Sequence, residues 1–266
     1  MVFEGYDDFL TGPYDVLINC VGVGTRKNLK WDYSLYFTVI EEFDNLCLQY
    51  LRTRRSDALY ISLSSGAVYG RHHQRPVTKA SCHRLKVNKI QPEDYYGISR
   101  IYAETKHRSF ASMNVVDLRV FSYFSRFANL HEEYFLSEIM GCLIHNIPFR
   151  TTPEDMVRDY IHPTDLFRLT ERCIEVRRLN TAFDAVSLKP VTKMELLHFF
   201  ATEYGLHYEF TSTSLSDTAT GTKRVYCSAY RSSDKLGYRP SYTSLQTISE
   251  ESRQLLESFQ GKERRQ

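Results

Sequence analysis

ALYISLSS, residues 58–65, is the stretch that decides the fold. It is a short apolar run without the polar alternation of a half-solvated strand, so it reads as a strand buried on both faces. Two more runs have this character: DVLINCV at 15–21, which ends in glycines, and NVVDLRVF at 114–121. Between the first two, Phe37, Ile40, Phe43, Cys47 and Tyr50 keep helical spacing. A second helix is expected from 94 to about 112, led in by Pro92 and two acids, and a third over 132–146. Strand, helix, strand, helix, strand, with continuous apolar strands, specifies an α/β fold with a parallel sheet covered on both faces. From about 126 the pattern mixes helices with short strands such as TAFDAV and HYEFT, a polar loop STSLSDTATGT and a turn LGYRP. The expected organisation is a main domain over 1–125, to which about 155–190 returns. A smaller α+β substrate lobe spans mainly 126–260, and a solvated tail 261–266.

Composition narrows the function classes. Hydrophobic residues at 42% and charged residues at 25% are ordinary for a soluble globular protein. A net charge of +2 gives no reason to expect nucleic acid or a membrane surface as partner. No apolar run approaches the roughly 20 residues that a membrane helix needs, and the acidic start MVFEGYDDFL does not read as a signal peptide. Cys20, Cys47, Cys82, Cys142, Cys173 and Cys227 are dispersed without a C-x-x-C pair, which reads as mostly buried, reduced thiols in a cytoplasmic protein.

A nucleotide site in such a sheet is expected where strands run into helix N-termini. VGVGTRK, residues 21–27, follows a strand and carries Gly22 and Gly24, but Lys27 stands where a dinucleotide fingerprint places its third glycine. A loop at the strand's carboxyl end is the better reading. TATGTK at 218–223 lacks the spacing of a phosphate loop. His72 and His73 are adjacent and without a third ligand at suitable spacing, so they read as a polar loop and no metal is expected.

YYGISR, residues 95–100, puts Tyr96 and Arg100 one helical turn apart on a shared face. Seven stretches in order, one of them containing YYGISR, carry a resemblance: DVLINCVG, YISLSSGAVYG, YYGISRIYAETKH, VVDLRVFSYFSRF, VRDYIHPTDL, and the closing elements KPVTKMELLHFF and DKLGYRP. Over about 15–240 the chain resembles the extended short-chain dehydrogenase/reductase family, of the nucleotide-sugar epimerase and dehydratase type. The resemblance implies a Rossmann-like, doubly wound parallel sheet. DVLINCVG resembles that sheet's fourth strand, and only fourteen residues precede it. The expectation is therefore an incomplete sheet without the family's glycine-rich segment, its apolar edge covered by a partner chain or a homodimer.

The resemblance also implies site residues. Ser65 matches the serine that hydrogen-bonds a sugar hydroxyl, and Tyr96 the general acid/base. Arg100 stands at the lysine that lowers the tyrosine's pKa and holds the nicotinamide ribose. It keeps the charge in a longer, planar group. Val21 and Gly22, with Tyr96 and Arg100, fall at the cofactor, NAD or NADP. Arg158 matches an arginine on the nucleotide-sugar diphosphate, with an ion pair to Asp155 or Asp159 as the alternative. Ser122 stands where an asparagine often lies beside the sugar. Asp165 reads as a brace for the following helix. A second family arginine falls near Ala219, where Lys223 or Arg224 could compensate. No counterpart of the site asparagine occurs near Thr38 to Ile40. Two readings follow: an atypical NAD(P)-dependent epimerase, dehydratase or reductase, or a pseudoenzyme that keeps the sugar-nucleotide pocket without redox chemistry.

Overall fold

The structure, a computed structural model, describes residues 6–23, 29–71, 73–176, 178–212 and 223–263, with backbone alone for 6, 7 and 260–263. The strands are β1 (Val16–Asn19), β2 (Leu59–Ser65), β3 (Asn114–Val120), β4 (Ser122–Tyr123), β5 (Phe149–Thr151), β6 (Val157–Arg158), β7 (Tyr160–Ile161), β8 (Asn180–Ala185), β9 (Val191–Thr192), β10 (Tyr208–Phe210) and β11 (Val225–Tyr226). Six longer helices are α1 (Leu35–Thr53), α2 (Pro92–Ser109), α3 (Phe135–His145), α4 (Pro163–Val176), α5 (Lys193–Tyr204) and α6 (Ser244–Glu263). The last of these runs through Glu263, so the expected tail at 261–266 is helical in its first half.

The central sheet has the order β1-β2-β3-β8, with every pair parallel. The unbroken apolar run of β2 follows from its position between two cores. Leu59 and Ile61 pack with Val116, Leu118, Leu169 and Cys173 on the α4 face. Ala58 and Tyr60 point the other way, against Cys47, Leu48 and Leu51 of α1. Two faces in contact with helices leave no solvent side to alternate toward. Among the described residues β1 pairs only with β2, and Ile18 on this edge is half exposed.

The lobe has its own core, in which Leu136, Ile139 and Met140 of α3, Phe200 of α5 and Ile248 and Leu255 of α6 meet. Helix α5 starts on a capping box: the Thr192 hydroxyl accepts from Glu195 N at 3.0 Å, and Glu195 accepts from Thr192 N at 2.8 Å. A Thr192→Ala chain is expected to lose about 1 kcal/mol of stability, read as a lower urea midpoint at unchanged slope. Helix α3 ends earlier than its spacing predicts, because Asn146 adopts the left-handed conformation (φ 51°) and closes the last turn.

All six cysteines are free thiols. Cys47, Cys173 and Cys227 are buried as expected, whereas Cys20 and Cys82 lie exposed, on the loop after β1 and on the loop before α2. Among the described residues no helix is long and apolar enough to cross a membrane.

Candidate functional site

Ser65 closes β2, and the chain turns at once into a short 3-10 segment, Gly66–Tyr69. The serine oxygen starts that turn by accepting from Ala67 N at 3.2 Å. Helix α2 docks against the same turn through Gly97. A Cβ there would lie 2.7 Å from the Ala67 carbonyl oxygen, so only glycine allows the approach. Tyr96, one residue earlier, is thereby set beside Ser65's turn, its ring against that of Tyr36 at 5.3 Å. Its hydroxyl donates to none of the described residues.

Arg100 is buried. Its Nη1 donates to the Leu63 carbonyl at 3.1 Å, and its guanidinium lies 5.3 Å from the centre of the Tyr96 ring. The loop after β1 crosses it so closely that a Cβ on Gly22 would sit 2.6 Å from Arg100 Nη2. Arg100 Nε is buried with no acceptor among the described residues. Val21 is anchored beside this point, its N–H donating to Asn19 Oδ1 at 2.9 Å. Residues 24–28, with Gly24 and Lys27, lie outside the described residues, as does His72. His73 contacts the Tyr69 carbonyl through Nε2.

The lobe brings β6 and β11 over this floor, paired parallel with Arg158 opposite Tyr226. The Tyr226 hydroxyl shares a 2.8 Å hydrogen bond with Ser65 Oγ, and its ring packs on Phe121 at 5.2 Å. Burial drives the Tyr226 phenol pKa far above its ordinary range. Burial, with the nearby charge of Glu132, pushes Tyr134 up to about 12.

Arg158 is buried, and its Nη1 donates to the carbonyls of Val157 at 2.9 Å and Lys223 at 2.7 Å. The ion pair open to it in sequence is not formed. Asp155 Oδ1 accepts from Met156 N and Met194 N, and Asp159 Oδ1 from Ser187 N. Neighbouring residues in extended chain face opposite ways, so Asp159 cannot turn to its neighbour. Burial pushes the Asp159 carboxyl up to about 6 and holds the Arg158 guanidinium below its ordinary value.

Lys223 is half-buried, with its Nζ 4.0 Å from the centre of the Tyr226 ring. A small cavity of about 30 Å³, room for a single water, is lined by Tyr96, Gly97, His83, Asp94, Arg71 and Lys223. Ser122 lies in β4, half-buried and paired with Tyr160 of β7.

Beneath the turn runs a connected polar chain. Ser64 donates to Glu104 at 2.7 Å, Arg119 holds Glu104 through Nε and Nη2, and Arg119 Nη1 donates to Tyr69 OH at 2.7 Å. Tyr69 and Ser228 in turn donate to buried Asp184. This chain locks α2, the turn and β8 together, so the site floor is fixed by charge as well as by packing. Asp165 does more than brace its own helix: its Oδ2 accepts from Ser241 N and Tyr242 N and so ties down the segment before α6.

His162, Glu250 and Glu251 have ligand atoms within 4.8 Å of one another. However, His162 Nδ1 accepts from Thr164 N, which leaves the proton on Nε2, and Arg126 grips Glu251 at 2.6 and 3.0 Å. The group is a salt-bridge cluster rather than a coordination set.

The sequence places Ser65, Tyr96, Arg100 and Gly22 in one neighbourhood and offers Lys223 as a stand-in for a second arginine; the structure sets Lys223 beside Tyr96 and adds Tyr226 and Tyr36. The profile of the NAD dependent epimerase/dehydratase family matches residues 7–183. No curated sequence relative matches. Among solved structures, MoeE5 in complex with UDP-glucuronic acid and NAD superposes with a TM-score of 0.74 at 15% identity, over 92% of this chain and 80% of the other. UDP-glucuronic acid 4-epimerase from Bacillus cereus gives 0.75 at 14% identity, over 95% and 78%. UDP-glucose 4-epimerase from Thermotoga maritima gives 0.74 at 14% identity, over 96% and 81%.

Proposed function

The chain belongs to the NAD dependent epimerase/dehydratase family, and from that premise we propose that the cleft between β2, α2 and the lobe binds a nucleotide sugar for NAD-dependent chemistry at a sugar hydroxyl. The observation that carries this reading is Arg158. It is a buried guanidinium that donates to backbone carbonyls and has no carboxylate partner among the described residues. A buried cation without a counter-ion is costly, and an anionic ligand that supplies the counter-charge repays that cost. A diphosphate has the oxygens to meet its fork.

In this reading Tyr96 exchanges a proton with the sugar hydroxyl and Ser65 orients that hydroxyl once Tyr226 gives up its bond. Ser122 lies toward the sugar. NAD, when bound, supplies the acceptor and donor of hydride. Val21, Gly22, Tyr96 and Arg100 are the residues that would hold it. The orphaned Arg100 Nε offers a donor for a ribose hydroxyl.

Titration calorimetry with UDP-glucose tests the reading. The unaltered chain is expected to bind, and Arg158→Ala to weaken binding by about 10- to 100-fold. A flat titration at millimolar ligand, or equal affinity for the two chains, removes the proposal. A second reading, a nucleotide-sugar binder without turnover, is favoured by one observation. Arg100 meets Tyr96 by its ring and spends a donor on Leu63, where the family's lysine would serve the phenol.

A further inference from the structure

The small net charge of the chain conceals a strong local one. Residues 73–91, on the loop that leads into α2, hold Arg75, Lys79, Arg84, Lys86 and Lys89 and no acid, so the rest of a chain of net charge +2 sums to −3. All five cations are exposed, and none forms an ion pair among the described residues. The next acids along the chain are already taken: Asp94 pairs with Arg71 at 3.0 Å, and Glu93 lies 3.6 Å from it. The loop is held in place at both ends. Val77 is buried, its N–H donates to the Cys227 carbonyl at 3.0 Å, and its own carbonyl accepts from Ala229 N at 2.8 Å. Near α2, Lys89 N donates to the Lys86 carbonyl at 2.7 Å and closes a single 3-10 turn, Val87–Lys89. Side chains three apart in such a turn lie on one side, so Lys86 and Lys89 face solvent together. Apolar side chains stand between the cations: Leu85 is 37% and Val87 77% exposed.

We propose that this loop is a docking surface for a membrane leaflet rich in anionic lipid, on which the chain sits peripherally. Apolar side chains set among the cations decide for lipid over other polyanions. Each cation close to a negative leaflet is worth about fivefold in partition. Leu85 and Val87 have the boundary between headgroups and acyl chains to enter. A nucleic acid offers the same charge, but single strands are gripped by aromatic rings interleaved with the cations, and 73–91 contains no Phe, Tyr or Trp. A purely acidic peptide answers the cations and leaves Leu85 and Val87 in water. Five cations with two short apolar side chains give a reversible, salt-sensitive attachment and not an insertion. The loop also borders the cleft, since His83 lines the cavity beside Tyr96, so a docked chain holds the cleft close to the membrane surface. The surface is independent of what the cleft binds.

The test is flotation of the full chain with vesicles of phosphatidylcholine, alone or mixed with about one-third phosphatidylserine, at about 0.05 M and about 0.5 M salt. The chain is expected to float with the anionic vesicles at low salt, at least about tenfold more than with the neutral ones, and to be released at high salt. Arg84→Gln, Lys86→Gln and Lys89→Gln combined are expected to weaken that partition by about 100-fold, and Val87→Ser alone several-fold. These are exposed side chains, and an unchanged urea midpoint checks that the fold is intact. Arg52→Gln, Arg54→Gln and Lys235→Gln combined remove the same charge from exposed positions elsewhere. That control is expected to change partition by less than about threefold. No flotation, equal flotation with neutral vesicles, equal loss in the two triple variants, or unchanged flotation of Val87→Ser overturns the proposal. So does loop-dependent binding of poly-uridylate or poly-glutamate by a chain that ignores the vesicles, which assigns the loop to nucleic acid or to an acidic protein instead.

Discussion

A His107→Gln chain is expected to lose about 3–5 kcal/mol of folding free energy, the usual result of breaking a buried ion pair from one side. His107 is fully buried on α2, and each ring nitrogen meets a carboxylate: Nδ1 faces Asp117 at 2.9 Å and Nε2 faces Asp44. Ionised carboxylates only accept, so both nitrogens must donate, and the ring is an imidazolium. Lys106 pairs with the other oxygen of Asp44, Arg108 with Asp117 at 2.8 Å, and Tyr60 of β2 donates to Asp44 at 2.9 Å. One charged ring thus fastens α1, α2, β2 and β3, the frame that carries Tyr96. Glutamine donates through a single amide nitrogen, so one buried carboxylate loses its bond to the ring and keeps only its other cation, Lys106 for Asp44 or Arg108 for Asp117.

The same geometry fixes a pH dependence. Burial alone would lower the His107 pKa, but the bonds to Asp117 and Asp44 outweigh it and raise the ring to about 9, from 6.5. A raised folded-state pKa means that the stabilisation is complete below 6.5 and disappears as pH climbs through 9. The shift is worth about 3 kcal/mol. The urea midpoint of the unaltered chain is therefore expected to fall by about 1 M between pH 6 and pH 9.5, relative to a His107→Gln chain measured in parallel. Parallel curves for the two chains across that window would show that the ring is neutral in the fold.

That network was hidden in the sequence for a definite reason. Asp44 falls within an amphipathic helix, where an acid reads as a solvent position, and His107 near a helix end reads as a charge complementing the dipole. The one visible signal was Asp117, a charge in the middle of the apolar run NVVDLRVF, which a buried strand tolerates only with a partner. The fold itself was legible, because ALYISLSS and its two companions are buried on both faces and the helical spacing between them is regular. Tyr96 with Arg100, and Ser65 at a strand end, were legible because their geometry is local. Tyr226 was not, and Lys223 was visible only as a stand-in for an arginine near Ala219, not as a neighbour of Tyr96. They reach Ser65 and Tyr96 only when the lobe folds back across more than a hundred residues, and no spacing encodes that return. For Arg158 the alternative partners were chosen by nearness in sequence, which the alternation of extended chain defeats.

Under the proposed reading, Tyr96→Phe is expected to cut turnover of a nucleotide sugar by about 10²- to 10⁴-fold while leaving ligand affinity within a factor of about three. The hydroxyl is the only part removed. The ring keeps its place against Tyr36 and under the Arg100 guanidinium, so binding through Arg158 has no reason to change. A loss of affinity as large as the loss of rate would make Tyr96 a binding residue and favour the reading without turnover. The paired measurement on Tyr226→Phe separates orientation from acid–base work. That change frees Ser65 Oγ from its 2.8 Å partner, so the serine can bond a ligand hydroxyl without first breaking an internal bond. Tighter binding by about 0.5–1.5 kcal/mol is the expected result, seen as a lower Kd in the same titration. If Tyr226→Phe instead weakens binding, the Tyr226 hydroxyl is itself a contact to the ligand, and Ser65 is held in reserve by a group that stays in the site.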